Sequence, residues 1–85
     1  MDSFSLFSAL GDRTRFELVL ALAKGEKCAC ELPAIVGRAQ PTVSLQLKRL
    51  VEAGVLSSRK DGRKVLYRLS SVRVRAVLKA AGAIS

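Results

Sequence analysis

The stretch from Gly37 to Leu69 constrains this chain more than any other, because its punctuation admits few architectures. Gly37-Arg38-Ala39 is a break, Pro41 suits a first helical position, and Val43, Leu47, Leu50 and Val51 recur at i, i+4, i+7 and i+8 until Gly54 closes the helix. The runs Val55 to Lys60 and Arg63 to Leu69 then flank Asp61-Gly62, a dipeptide suited to the two-residue hairpin turn whose twist matches its strands. Ahead of the break, Cys30-Glu31-Leu32-Pro33 reads as the opening turn of a short helix, where proline is tolerated, and Gly37 ends it. A short helix, a tight break and a longer helix with a polar outer stripe form a helix-turn-helix pattern, and the hairpin behind it is a wing.

The flanks complete the domain. Ser3 is placed to cap a short first helix carrying Phe4, Phe7 and Leu10 and ending at Gly11. Asp12 is a good N-cap for a second helix, with Phe16, Val19, Leu20 and Ala23 as its expected core stripe before Gly25. Lys27-Cys28-Ala29 is too short for more than an extended linker. Ser70 or Ser71 caps a last helix with an apolar stripe of Val74, Val77, Leu78 and Ala81. The expected fold is mostly α with a small β-hairpin: a winged helix-turn-helix of four helices, the wing and a fifth helix, as a single domain over residues 1–85. A chain this short buries only about two-thirds of its unfolded surface, so help from a second subunit is expected.

Charge points to the partner. Residues 38–75 hold ten of the fifteen Lys and Arg residues against only Glu52 and Asp61, so the whole formal charge of +8 sits on the second helix of the pair, the hairpin and the start of the last helix. Such a concentration is a surface for polyanion phosphates, and double-stranded DNA is the first partner to consider. With no His, no glycine-rich phosphate loop and no carboxylate pair flanked by turn residues, the chain is not expected to be an enzyme. No apolar run approaches the roughly 20 residues needed to cross a bilayer, and no secretory leader is visible, so a cytoplasmic protein with no membrane association is expected. Cys28 and Cys30 are the only cysteines, a poor framework for a disulfide-stapled secreted domain, and are expected to be reduced thiols.

At i and i+2 of an extended-to-helical junction, these two thiolates can point to one side and hold a soft ion. A helix N-terminus beside them is expected to lower the pKa of both. Three readings stay open on the residues alone: ligands of a thiophilic ion, a thiol redox switch, or two small hydrophobes beside the core.

Leu10-Gly11-Asp12-Arg13-Thr14-Arg15-Phe16 resembles the start of the second helix in ArsR/SmtB-type winged-helix repressors. Glu26 to Leu32 resembles their thiolate motif, Gln40-Pro41-Thr42-Val43-Ser44 the start of their recognition helix, Leu47 to Leu56 the segment after it, and Asp61 to Leu69 their wing. The similarity covers roughly residues 8 to 70 in the family's order and spacing. The resemblance implies a sequence-specific repressor that is a homodimer through its first and last helices, with two recognition helices on an imperfect palindromic operator. It implies that Gln40, Thr42, Ser44 and Gln46 lie near DNA. Gln46 has the chemistry for a bidentate contact with adenine, and Arg49 for guanine or phosphate. Their plainer reading is solvation of the outer face of an amphipathic helix. Leu45 and Gln46 stand where relatives often carry two histidines, so base preference is not transferable.

Arg59, Lys60, Arg63 and Lys64 crowd the hairpin tip and suit phosphates or the minor groove better than base edges; the alternative is an ordinary solvated turn. Arg73 and Arg75 either extend that surface or cover the last helix with their stems. By resemblance, Cys28 and Cys30 bind As(III) or Sb(III) as inducer, with no obligatory cofactor. Pro33 stands where a third cysteine is sometimes found, so an added thiol or hydroxide completes a three-coordinate ion. Lack of His argues against a zinc or nickel site. Ligand capture is expected to shift the start of the third helix and the recognition helix with it, releasing DNA. The other classes to separate are a redox-responsive regulator and a winged-helix module that docks on protein.

Overall fold

The computed structural model describes residues 12–80 and 82. The first helix expected over Ser3 to Leu10 therefore lies outside the described residues, as does Ala81. Asp12 caps helix α1 (Arg13–Ala23), its carboxylate accepting the Arg15 amide at 3.0 Å. The buried face of α1 is Leu18, Val19, Ala21 and Leu22 rather than the stripe centred on Leu20. Phe16 and Ala23 only pack against the edge of the core, and Leu20 is half-buried. This helix is apolar on most of its circumference, so periodicity alone did not fix which side turns inward.

Strand β1 (Lys27–Cys28) comes next, then helix α2 (Leu32–Val36), ended by Gly37 in the left-handed conformation at φ 67° with its amide on the Pro33 carbonyl. Cys30 stands in the turn ahead of α2 rather than in its first turn. Helix α3 (Gln40–Glu52) buries Val43, Leu47 and Leu50 as its spacing predicts, with Pro41 one residue inside the start.

Strands β2 (Leu56–Asp61) and β3 (Lys64–Leu69) pair antiparallel with Asp61 opposite Lys64, so the two-residue loop is Gly62-Arg63, one position later than expected. Gly62 takes φ 64° in the first loop position, where glycine is favoured in a type II′ hairpin. The linker expected over Lys27-Cys28-Ala29 is a third strand. Lys27 pairs with Tyr67 and Cys28 with Leu66, giving a sheet of order β1-β3-β2 with the descending wing strand in its centre.

Helix α4 (Val72–Ala80) buries Val74 and Leu78. Val74 and Leu78 thus pack inside one chain, while Val77 is half-buried. Arg75 Nη1 donates to the Ala23 carbonyl at 2.9 Å, tying α4 to the C-terminal end of α1. Ser70 is not spent as a helix cap: its hydroxyl donates to the Gly54 carbonyl, and its amide to Val55 O at 3.0 Å, pinning the two ends of the wing together.

One core cluster joins α1, α2, α3, the base of the wing and α4, with Leu18, Leu22, Leu32, Leu47, Leu50 and Leu78 fully buried. No helix among the described residues is long and apolar enough to cross a membrane. Leu50 has no exposed surface where α3 meets this cluster. Leu50→Ala is expected to cost about 2–5 kcal/mol, through lost transfer energy and the cavity left behind. In urea denaturation this reads as a lowered midpoint at unchanged slope.

Candidate nucleic-acid interface and thiol pair

Because α3 buries Val43, Leu47 and Leu50, its opposite side is fixed by the 100° step of the helix. Thr42, Leu45, Lys48 and Arg49 occupy it and are exposed, with Gln40 and Ser44 also exposed toward one flank. Gln46 lies on the other flank, half-buried, and its Oε1 is buried with no hydrogen-bond partner among the described residues. In that rotamer Gln46 offers no bidentate edge to adenine, because such a contact needs the amide nitrogen and oxygen together. The residue at the apex is Leu45, 47% exposed.

Lys60, Arg63 and Lys64 are exposed at the hairpin tip with Asp61 between them. Arg59 stands apart from these three. It pairs across the ladder with Leu66, and its Nε and Nη2 donate to Glu26 Oε2 and Oε1 at 2.9 and 2.7 Å. A bidentate ion pair of this kind neutralises the guanidinium and fixes its plane, so Arg59 braces the wing against the chain ahead of β1 instead of standing free for phosphate. Arg59, foremost through its hydrogen bonds, holds the Glu26 carboxyl below its ordinary pKa. Spacing gave no hint of this brace, whose partners are 33 residues apart.

The thiols come together at the other edge of the same sheet. Cys28 is buried and Cys30 exposed, yet their sulfurs are 2.6 Å apart, with the Cys30 thiol donating. The Cys30 amide also faces Cys28 Sγ at 3.4 Å, and the Cys28 amide donates to Glu31 Oε2 at 2.7 Å. These contacts split the two groups. The hydrogen bond from the Cys30 thiol, then that from its amide, and more weakly the charge of Lys64, lower the Cys28 pKa. Donating that same bond raises Cys30. The joint lowering expected from a helix N-terminus is therefore corrected: α2 has only five residues, its N-cap Glu31 makes no side-chain cap bond, and the neighbouring sulfur dominates. The shifts favour the thiolate, the reactive and ligating form, at Cys28 and disfavour it at Cys30.

The chain thus combines an exposed, partly cationic helix face, a cationic hairpin tip and a thiol pair whose Cys28 lies on the wing's own sheet. The model of bacterial regulatory proteins of the arsR family matches residues 12–58, from the α1 cap into the ascending wing strand. The chain belongs to the ArsR family. Among relatives of this ArsR-family chain, the arsenical resistance operon repressor of Escherichia coli K12 is 46% identical over 66 residues, covering 76% of this chain and 56% of the relative. A probable mercury resistance operon repressor of Streptomyces lividans is 40% identical over 68 residues, covering 80% of this chain and 54% of the relative. The chain thus spans about half the length of these curated relatives. The crystal structure of the transcriptional repressor BigR from Xylella fastidiosa superposes with TM-score 0.84 at 32% identity, covering 91% of this chain and 79% of that one. The fold is a winged helix-turn-helix.

Proposed function

We propose that this chain is a homodimeric transcriptional repressor that holds an imperfect palindromic operator and lets go when As(III) or Sb(III) bridges Cys28 and Cys30. The observation that carries the reading is the place of Cys28: its sulfur faces Cys30 while its backbone is in register with Leu66 of the wing. A change at the sulfur is thereby one strand away from the cationic hairpin and one turn from α2. DNA is read by α3 through Thr42, Ser44, Gln40 and Arg49, with Gln46 held at the flank of the helix, its Oε1 turned inward. Lys60, Arg63 and Lys64 hold phosphates. A two-fold axis sets the two recognition helices about one DNA turn, roughly 34 Å, apart. The dimer contact falls on the terminal helices, with the 86% exposed Val72 on its α4 side. The protein acts in the cytoplasm, where thiols stay reduced.

The names of the relatives, repressors of arsenical and of mercury resistance operons, support a thiophilic ion. No group of three or more Cys, Asp, Glu or His among the described residues is arranged to hold a metal, so the pair supplies two sulfurs and a hydroxide or small thiol supplies the third bond to arsenic. Coupling to DNA needs only a modest free energy, since 5- to 150-fold changes in affinity are typical of linked sites. The route has two branches. One is the α2–α3 core expected from the sequence. The other is the β1–β3 ladder with the Glu26–Arg59 brace, which carries movement of Cys28 into the wing.

Titrating arsenite into the protein–operator complex tests this. Wild type is expected to release DNA, and a Cys28→Ser variant to stay bound at all arsenite concentrations; operator affinity indifferent to arsenite in the wild type refutes the reading. The closeness of the two sulfurs favours one alternative, a redox switch in which an oxidant joins them. In that case diamide releases DNA, a dithiol restores binding and arsenite does nothing.

A further inference from the structure

We infer that Leu45 is a specificity-determining residue of the recognition helix, seating its side chain against the C5-methyl group of a thymine in the major groove of each half-site. This rests on the DNA-binding reading above and goes beyond it by naming the base. A single exposed leucine ordinarily needs no explanation, since much of any protein surface is apolar. Two features set this one apart.

The first is its position. Leu45 lies opposite Val43, Leu47 and Leu50, so packing of α3 on the core makes no demand for an apolar group there. Its neighbours one turn away along the helix are Thr42, Lys48 and Arg49, all exposed. An apolar side chain flanked by two cations is poorly suited to bury against a protein partner, because both ammonium and guanidinium have to be desolvated with it. It is well suited to a surface that is anionic at its rim and apolar at one point within. DNA offers that combination: phosphates line the major groove, and the thymine methyl is the one apolar group on its floor that distinguishes a base pair. Lys48 and Arg49 then meet backbone or guanine while Leu45 meets the methyl, with the Thr42 methyl beside it.

The second is what Gln46 does. With Oε1 turned inward, the amide that best suits adenine is withdrawn to the flank, and Leu45 is left as the longest uncharged side chain facing outward from the middle of α3. Specificity at that step is therefore carried by shape and apolar contact rather than by a paired hydrogen bond.

The test starts from the intact protein and a random duplex library, selecting the preferred site at fixed salt, because affinities at unequal salt are not comparable. Each thymine of the recovered half-site is then replaced singly by deoxyuridine, which keeps the hydrogen-bonding edge and removes only the methyl. At one thymine the loss is expected to be about fourfold per half-site, the worth of one buried methyl group, and to multiply over the two half-sites. In Leu45→Ala the same uracil substitution is expected to change nothing, while the salt dependence stays that of wild type. A preferred site bound with equal strength in its thymine and uracil forms overturns this inference alone. Equal sensitivity to uracil in wild type and Leu45→Ala also overturns it, assigning the methyl contact to another side chain. Recovery of no preferred sequence overturns the DNA-binding reading and this inference together.

Discussion

Replacing Lys60, Arg63 and Lys64 together by alanine is expected to lower operator affinity by on the order of 10³-fold at 0.1 M salt and to make the plot of log affinity against log salt shallower by about 5. In the proposed dimer the three exposed cations of each hairpin tip give six phosphate contacts, each expected to release about 0.9 counterion on B-DNA. Filter-binding or fluorescence-anisotropy titrations from 50 to 300 mM salt read both quantities. The fold is expected to be untouched, since none of the three side chains is in the core, while loss of the Lys64 charge leaves Cys28 slightly less ready to ionise. Arg59→Ala serves as the contrast. Its guanidinium is already paired with Glu26, so its loss is expected to leave the salt slope near that of wild type while weakening the response to arsenite. A drop in slope of about 2 for Arg59→Ala, the worth of two phosphate contacts per dimer, places it on phosphate and removes the brace from the mechanism.

The second large effect concerns pH and the identity of the ion. Arsenous acid is neutral and carries three hydroxides, so each sulfur–arsenic bond forms as one hydroxide leaves as water with the thiol's proton. Affinity for arsenite is therefore flat in pH while both thiols are protonated, and falls once the pH passes the point at which Cys28 ionises. The hydrogen bond from the Cys30 thiol lowers that point, so the decline is expected to begin at lower pH than for an ordinary dithiol. A divalent ion such as Hg(II) displaces the protons into solution and is expected to bind more tightly as pH rises. Isothermal titration in buffers of different ionisation heat gives the proton count directly. Cys28→Ser is expected to abolish the two-sulfur complex with either ion. Arsenite affinity that climbs through the thiol range counts against this chemistry.

Much of this architecture is legible in the residues, for local reasons. The Val43, Leu47, Leu50 stripe and the Gly37 break each encode their structure within a few positions, so α3 and the helix-turn-helix are specified directly. The hairpin is legible too, although register settles one residue later: Asp61 and Lys64 face each other across the ladder, leaving Gly62-Arg63 as the loop. Features that depend on distant residues were not legible. Strand β1 is two residues long and exists because Leu66 and Tyr67 supply an edge for it. The side of α1 that turns inward is chosen by its neighbours, because Leu18, Leu20 and Leu22 are equivalent in hydropathy and differ only in what they meet. At the site, the proximity of Cys28 and Cys30 is a result of their spacing, but their opposite pKa shifts are not: these arise from one thiol donating to the other. Likewise nothing in the composition of the hairpin separated Arg59 from the other three cations.

Among the described residues the strand order β1-β3-β2 leaves two open margins on the sheet. Along one, β1 offers only two residues of main chain, too little to template another strand. Along the other, β2 runs Ser57-Ser58-Arg59-Lys60-Asp61, and charged side chains there repel a like copy before its backbone can dock. Lys60, proposed above to hold phosphate, thus has a second use beside Arg59: the two charges guard this margin of the sheet against a second copy of the chain.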